Sequence, residues 1–125
     1  MTETTSQQLG KQALGHYGET LALRHLLDQG MVLLDRNWTC PAGEVDLVLR
    51  DGDVLVVCEV KTRTTHDYGS PHEAVTEDKL ARLRRLSAAW VEAHAAAPAG
   101  VRIDLVAVLR PRRGPSVLEH VRGLC

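Results

Sequence analysis

A chain of 125 residues, 44% apolar and 25% charged, has the composition of a soluble globular protein with room for one hydrophobic core. Fifteen Lys and Arg against sixteen Asp and Glu leave a net charge of −1, which argues against a broad basic face gripping nucleic acid and confines any such footprint to a local patch. No apolar run of about 18 residues and no charged-then-apolar leader occurs, so a cytoplasmic protein with no membrane contact is expected.

Cys40, Cys58 and Cys125 lack CxxC spacing, and the six histidines lack ligand spacing such as HxxxH. Structural disulfides and a zinc site are therefore not expected. The polar stretch from Met1 to about Thr5 reads as disordered. A helix is predicted from about 7 to 29, with Gly30 as its C-terminal cap. Gly15, Glu19, Ala22, Leu23 and Leu26 follow one helical stripe, so Glu19 falls on an otherwise small or apolar face and becomes a functional candidate. Met31 to about Trp38 reads as the first strand.

Two further strands, 44–50 and 54–62, carry charge where a buried strand should carry none. Glu59 and Lys61 point to one face by the period-two rule, as do Glu44 and Asp46. If Asp51-Gly52 is a two-residue hairpin loop, position 46 pairs with 57 and Asp46 lies diagonal to Glu59. A four-residue loop places Asp46 directly opposite Glu59, and a three-residue loop separates them. The other face of these strands (Val45, Leu47, Val54, Val56, Val60) is apolar, and Cys58 reads as a packed thiol. Two carboxylates at cross-strand distance repel unless a cation sits between them, and oxygen ligands of this kind suit Mg²⁺ or Mn²⁺. A lysine on the same face can stabilise a developing oxyanion. The competing reading is a salt-bridge cluster on a solvated sheet face.

After a polar loop from Arg63 to Gly69, Ser70-Pro71-His72-Glu73 has capping-box form. Thr76-Glu77-Asp78-Lys79 offers a second start, from which a helix is predicted over about 76–96, stopped by Pro98 and Gly100. Its apolar stripe is Leu83, Leu86 and Trp90, with Lys79 leaning inward at the leading end. Strands are predicted over 101–109 and, after a Pro/Arg/Gly turn, over 116–121. Arg102 and Asp104 share a face and read as a structural ion pair. Local basic footprints are Lys61-Thr62-Arg63, then Lys79, Arg82, Arg84 and Arg85, then Arg110 to Arg113. The order gives an α/β/α sandwich around a mixed sheet of four or five strands, one domain spanning 1–125 with its core over about 7–121.

The helical glutamate, the isolated aspartate and the Glu-x-Lys of the next strand resemble the PD-(D/E)xK nuclease superfamily of restriction-endonuclease-like fold, which includes Holliday junction resolvases. Gly15-x-x-Gly18-Glu19-x-x-Ala22, Arg36-Asn37-Trp38, Gly43-Glu44-Val45-Asp46-Leu47-Val48, Glu59-Val60-Lys61-Thr62-Arg63, Tyr68-Gly69 and Arg102-Ile103-Asp104-Leu105-Val106 are more closely similar to the YraN-type bacterial proteins. The resemblance covers roughly Gly10 to Leu109. It implies metal ligation by Glu19, Asp46, Glu59 and the Val60 carbonyl, with Lys61 as the catalytic lysine and Mg²⁺ or Mn²⁺ as a weakly bound cofactor. It also implies a DNA substrate, branched, flapped or single-stranded, met by Arg63, Lys79 and Arg82, and a homodimer by analogy with resolvases. A nucleic-acid-binding module without turnover and a protein-interaction adaptor are the alternatives. The Glu/Asp/Glu/Lys set argues against the first of these, since a pure binder has no need of four converging ionisable groups.

Overall fold

The computed structural model describes residues 6–64 and 75–124, with side chains from Gly10 onward. Helix α1 (Ser6–Asp28) is followed by β1 (Val32–Cys40), β2 (Gly43–Asp51), β3 (Val54–Arg63), α2 (Glu77–Ala93), β4 (Gly100–Leu109) and β5 (Val117–Val121). The predicted order is the observed one. Met1 to Thr5, most of the polar loop including Tyr68-Gly69, and the Ser70–Glu73 capping box lie outside the described residues.

The five strands form one sheet in the order β1-β2-β3-β4-β5. The β3–β4 pair is parallel and the other pairs antiparallel, so α2 serves as the crossover between β3 and β4. This is the α/β architecture of a restriction-endonuclease-like sandwich. A core on the α1 side gathers Ala22, Leu26, Met31, Leu47, Leu49, Val56, Cys58, Val106 and Val108. The α2 side gathers Val45, Val48, Leu55, Val57, Leu80, Leu83, Leu86, Trp90 and Ile103. Both sheet faces are covered, so the solvated-face reading of the charged strands does not hold. Burial pushes the Cys58 thiol well above its ordinary range, as expected of a packed cysteine.

Several local expectations shift. The hairpin turn is Gly52-Asp53, with Asp51 opposite Val54, not Asp51-Gly52. Gly52 takes φ +63, a conformation that suits glycine in a two-residue hairpin turn. Position 47 therefore pairs with 58, two places away from the register that an Asp51-Gly52 turn would give. The shift is even and leaves the strand faces unchanged. Helix α2 is capped by the Thr76 hydroxyl, which accepts from Lys79 N at 3.2 Å. It ends at Ala93 and not near 96, because His94 leaves helical geometry and Ala95 turns left-handed at φ +49.

The packing stripe of α1 runs through Gly18, Ala22 and Leu26, with Gly15 off it and Glu19 at its margin. Gly18 permits the closest approach of α1 to the sheet: a Cβ there would land on the Thr62 hydroxyl oxygen and lie 3.0 Å from Thr62 Cβ. Gly18→Ala should therefore cost ~1–3 kcal/mol by overpacking, despite the gain in helix propensity. Gly15→Ala, into open space, should stabilise by ~0.5–1 kcal/mol. Urea denaturation checks both. The Gly18→Ala cost should shrink in a Thr62→Ala background, and equal costs in the two backgrounds would rule this contact out as the cause.

Candidate active site

The regular alternation of β2 fails at one residue. Val48 and Val45 both face α2, although an odd separation should put them on opposite faces, and Leu47 faces α1. The irregularity falls at Asp46. Val45 therefore departs from the apolar face expected to include it with Leu47. In β1, Asn37 adopts φ +54 between the pairs Arg36↔Leu47 and Trp38↔Val45, so both strands depart from regular geometry at the same level. Asparagine is among the few residues that tolerate this conformation.

Pairing of β2 with β3 runs from Asp51↔Val54 to Leu47↔Cys58. One step beyond, the Val60 N–H donates to Asp46 Oδ2 at 2.8 Å. A side chain thus takes a donor that a continued ladder would offer to backbone. Because a strand N–H points along the sheet, this bond lays the Asp46 carboxylate beside β3, not squarely on either face.

Glu59 and Lys61 do share a face, the one covered by α2. Glu59 is 7% exposed, and its Oε2 lies 3.2 Å from Lys61 Nζ and 3.0 Å from Lys79 Nζ. Glu19 stands on the α1 side, where Oε1 lies 3.7 Å from Arg36 Nε. Arg36 is itself held by Thr20 Oγ1, 3.1 Å from its Nη2.

Asp46 feels both sides. Burial, then the charge of Glu59, pushes its carboxyl up from 3.8 to about 7. Glu19 and Glu44 add to the rise, and the Val60 hydrogen bond opposes it. Burial, then the Lys61 neighbour, pushes Lys79 below its ordinary range, while Glu59 works the other way.

The described residues contain no group of three His, Cys, Asp or Glu side chains gathered to hold a metal ion. Asp46 and Glu59 offer hard oxygen donors, and Asp46 is crowded by negative charge. An ion held by one or two carboxylates, with waters and substrate phosphate completing its shell, matches Mg²⁺ or Mn²⁺ and not zinc. Glu19, the further expected ligand, is engaged by Arg36.

Of the expected nucleic-acid contacts, Arg63 is partly buried at the end of β3 and Arg82 is exposed on α2. Lys79 turns instead to Glu59. Sequence reasoning did not pair Arg36 with Glu19 or Lys79 with Glu59. The only hints were Arg36 beside a mid-strand asparagine and an inward-leaning lysine in a capped first turn.

The fold and this carboxylate–lysine cluster define an α/β/α sandwich with a charged centre where β2 leaves β3. The model of the uncharacterised protein family UPF0102 matches residues 18–108. A UPF0102 protein of Nocardioides sp. is 69% identical over 114 residues, covering 91% of this chain and 92% of the relative. Another from Streptomyces coelicolor is 59% identical over 114 residues, covering 90% and 88%. A third from Kineococcus radiotolerans is 56% identical over 115 residues, covering 91% and 94%. The chain belongs to the UPF0102 family, in accord with its YraN-type resemblance. No helix among the described residues is long and apolar enough to cross a membrane.

The raised carboxyl has a consequence for stability. A group with a folded pKa of about 7 against an ordinary 3.8 favours the fold below pH ~4 and loses that contribution as pH rises through 7. Asp46→Asn keeps an acceptor for Val60 and removes the titration. Its melting temperature should exceed that of the wild type by a margin that widens from pH 5 to pH 8, by up to ~3 kcal/mol in stability. A margin independent of pH would contradict the crowding of Asp46.

Proposed function

We propose that the protein is a divalent-metal-dependent nuclease hydrolysing phosphodiester bonds in branched, flapped or single-stranded DNA. The observation that carries the reading is the Asp46–Glu59 carboxylate pair beside Lys61 at the parting of β2 and β3. Resemblance to the PD-(D/E)xK superfamily supports it independently of the geometry.

Hydrolysis adds water across one P–O ester bond, with hydroxide joining phosphorus and a proton going to the departing alkoxide. A Mg²⁺ or Mn²⁺ ion bound by Asp46, Glu59 and, by resemblance, the Val60 carbonyl would supply activated water and charge neutralisation. The chain's own groups do the rest. The Val60 N–H fixes the Asp46 carboxylate, and Arg36 anchors Glu19 at the α1 side of the cluster. Lys61 places an ammonium where negative charge develops on phosphate oxygens, in a partly buried site where it acts more strongly than in water. Arg63, two residues further along, places a second positive charge at the end of β3. The near-neutral net charge favours substrates whose shape or flexibility lets one phosphate reach a recessed centre.

A binding module without turnover is the second reading, favoured by the engagement of Glu59 with two lysines. Cleavage assays on four-way junctions, flaps and single strands with Mg²⁺ and with Mn²⁺ separate the two. Wild-type protein should cleave at least one of these substrates. Asp46→Asn should lower the rate by orders of magnitude without loss of fold. Lys61→Ala should lose about 2.7–4 kcal/mol of transition-state stabilisation, a factor of 10² to 10³, while Mn²⁺ binding persists. If every substrate stays intact, the binding module takes precedence. Equal cleavage by the wild type and both variants would assign the activity to a contaminant.

A further inference from the structure

Lys79 carries a charge that the hydrolytic reading leaves without a task. It sits in the first turn of α2, its backbone N–H held by the Thr76 cap, and its side chain is 18% exposed. It reaches across to β3, where its Nζ meets Glu59 Oε2 at 3.0 Å. Lys61 Nζ meets the same oxygen at 3.2 Å. Two ammonium groups on one carboxylate oxygen repel each other, and burial strengthens that repulsion. Lys61 alone supplies the charge that neutralises Glu59. Glu59 is the carboxylate that both ammonium groups share, while burial and the Lys61 neighbour push Lys79 below its ordinary range.

A hard divalent ion seated on Glu59 competes with the two lysines for the charge of one carboxylate, whichever oxygen it takes, because both ammonium groups already meet Oε2. Ion and ammonium then compete for one place, and the ammonium is the more easily moved, being carried on a flexible four-carbon stem. Once an ion engages the carboxylates, an ammonium displaced from Glu59 can take as its anionic partner the phosphate that the substrate brings to the centre.

We propose that Lys79 is a resident cation, holding the divalent ion's place on Glu59 in the free protein and passing to a substrate phosphate when that ion binds. This rests on the nuclease reading of the site. It gives one substitution two opposite effects. Removing the charge frees Glu59 for the ion, and it also removes a cation from the phosphate. A lysine that merely tied α2 to β3 would not weaken the hold on a phosphate on its removal, so the two opposite effects together mark the proposed role.

The test titrates MnCl₂ calorimetrically into the full-length protein without nucleic acid. Wild type is compared with Lys79→Met, which keeps an unbranched stem, and with Lys79→Gln, which keeps a hydrogen-bond donor. Each variant is expected to bind Mn²⁺ about tenfold more tightly than wild type. With Mn²⁺ present, binding of a phosphorothioate single-stranded oligodeoxynucleotide, followed by anisotropy, should weaken about tenfold in the same variants. If wild type binds Mn²⁺ and the folded variants bind it no more tightly, the placeholder role is overturned and the nuclease reading stands. Mn²⁺ uptake by none of the three proteins, with the oligodeoxynucleotide present as well as absent, overturns both. Failure of both variants to fold also overturns the proposal, since it makes Lys79 a structural tie.

Discussion

The parting of β2 from β3 at Asp46 is the constraint on which the charged centre depends. A strand N–H deprived of its ladder partner and buried without another would cost ~1–3 kcal/mol. Asp46 supplies the missing acceptor for Val60, so the ladder can end inside the fold instead of at its edge. That one bond couples backbone and chemistry. It allows the sheet to open at this level, and it holds a carboxylate between the helix-covered faces. The left-handed Asn37 on β1 departs from regular geometry at the same level, so three strands are involved.

The two helices then supply what the sheet lacks. Gly18 brings α1 against Thr62, setting Glu19 and its partner Arg36 beside the centre. The Thr76 cap fixes the first turn of α2, from which Lys79 reaches Glu59. Neither helix presents its charged residue by solvent preference. Glu19 is placed by close packing at the adjacent Gly18 and Lys79 by the Thr76 cap one turn back, so repacking Gly18 or removing the α2 cap perturbs the site without touching a charged group.

The element order, both helices and all five strands were legible because hydrophobic period, caps and turn residues are local signals. The Asp51-Gly52-Asp53 segment offers two adjacent two-residue turns, so the hairpin register was open by two places. The face assignment of Glu59 and Lys61 was insensitive to that choice, because both turns preserve parity. The break at Asp46 was not legible. It arises from the joint geometry of three strands, and a sequence written as a regular β-strand gives no sign of which residue departs from it. Arg36–Glu19 and Lys79–Glu59 are contacts between elements, which single-chain periodicity does not encode. The early end of α2 escaped detection because Ala95 is a poor signal for a left-handed residue, whereas Pro98 and Gly100 are strong signals placed slightly too late.

A second buried aspartate sets off the charge deficit at Asp46. Asp104 is wholly buried. Arg102 binds it through two bonds of 2.9 and 3.1 Å, His120 Nε2 lies 2.9 Å away, and Gly123 N donates at 3.0 Å. Burial works to raise its pKa, and these partners outweigh burial and hold it below the ordinary carboxylate range. His120 in turn meets His25 of α1 at 3.2 Å, so the network ties β4, β5, α1 and the C-terminal segment together. It is what a buried carboxylate looks like when its task is structural: every demand for charge compensation is met. Asp46 has one backbone donor and several negative neighbours, and its pKa moves the other way. The same fold that neutralises Asp104 leaves Asp46 short of positive charge while two lysines crowd Glu59. A chain able to satisfy one buried carboxylate so fully has no stability reason to leave another in deficit, whereas the proposed nuclease centre, which would receive a cation and a phosphate, supplies one.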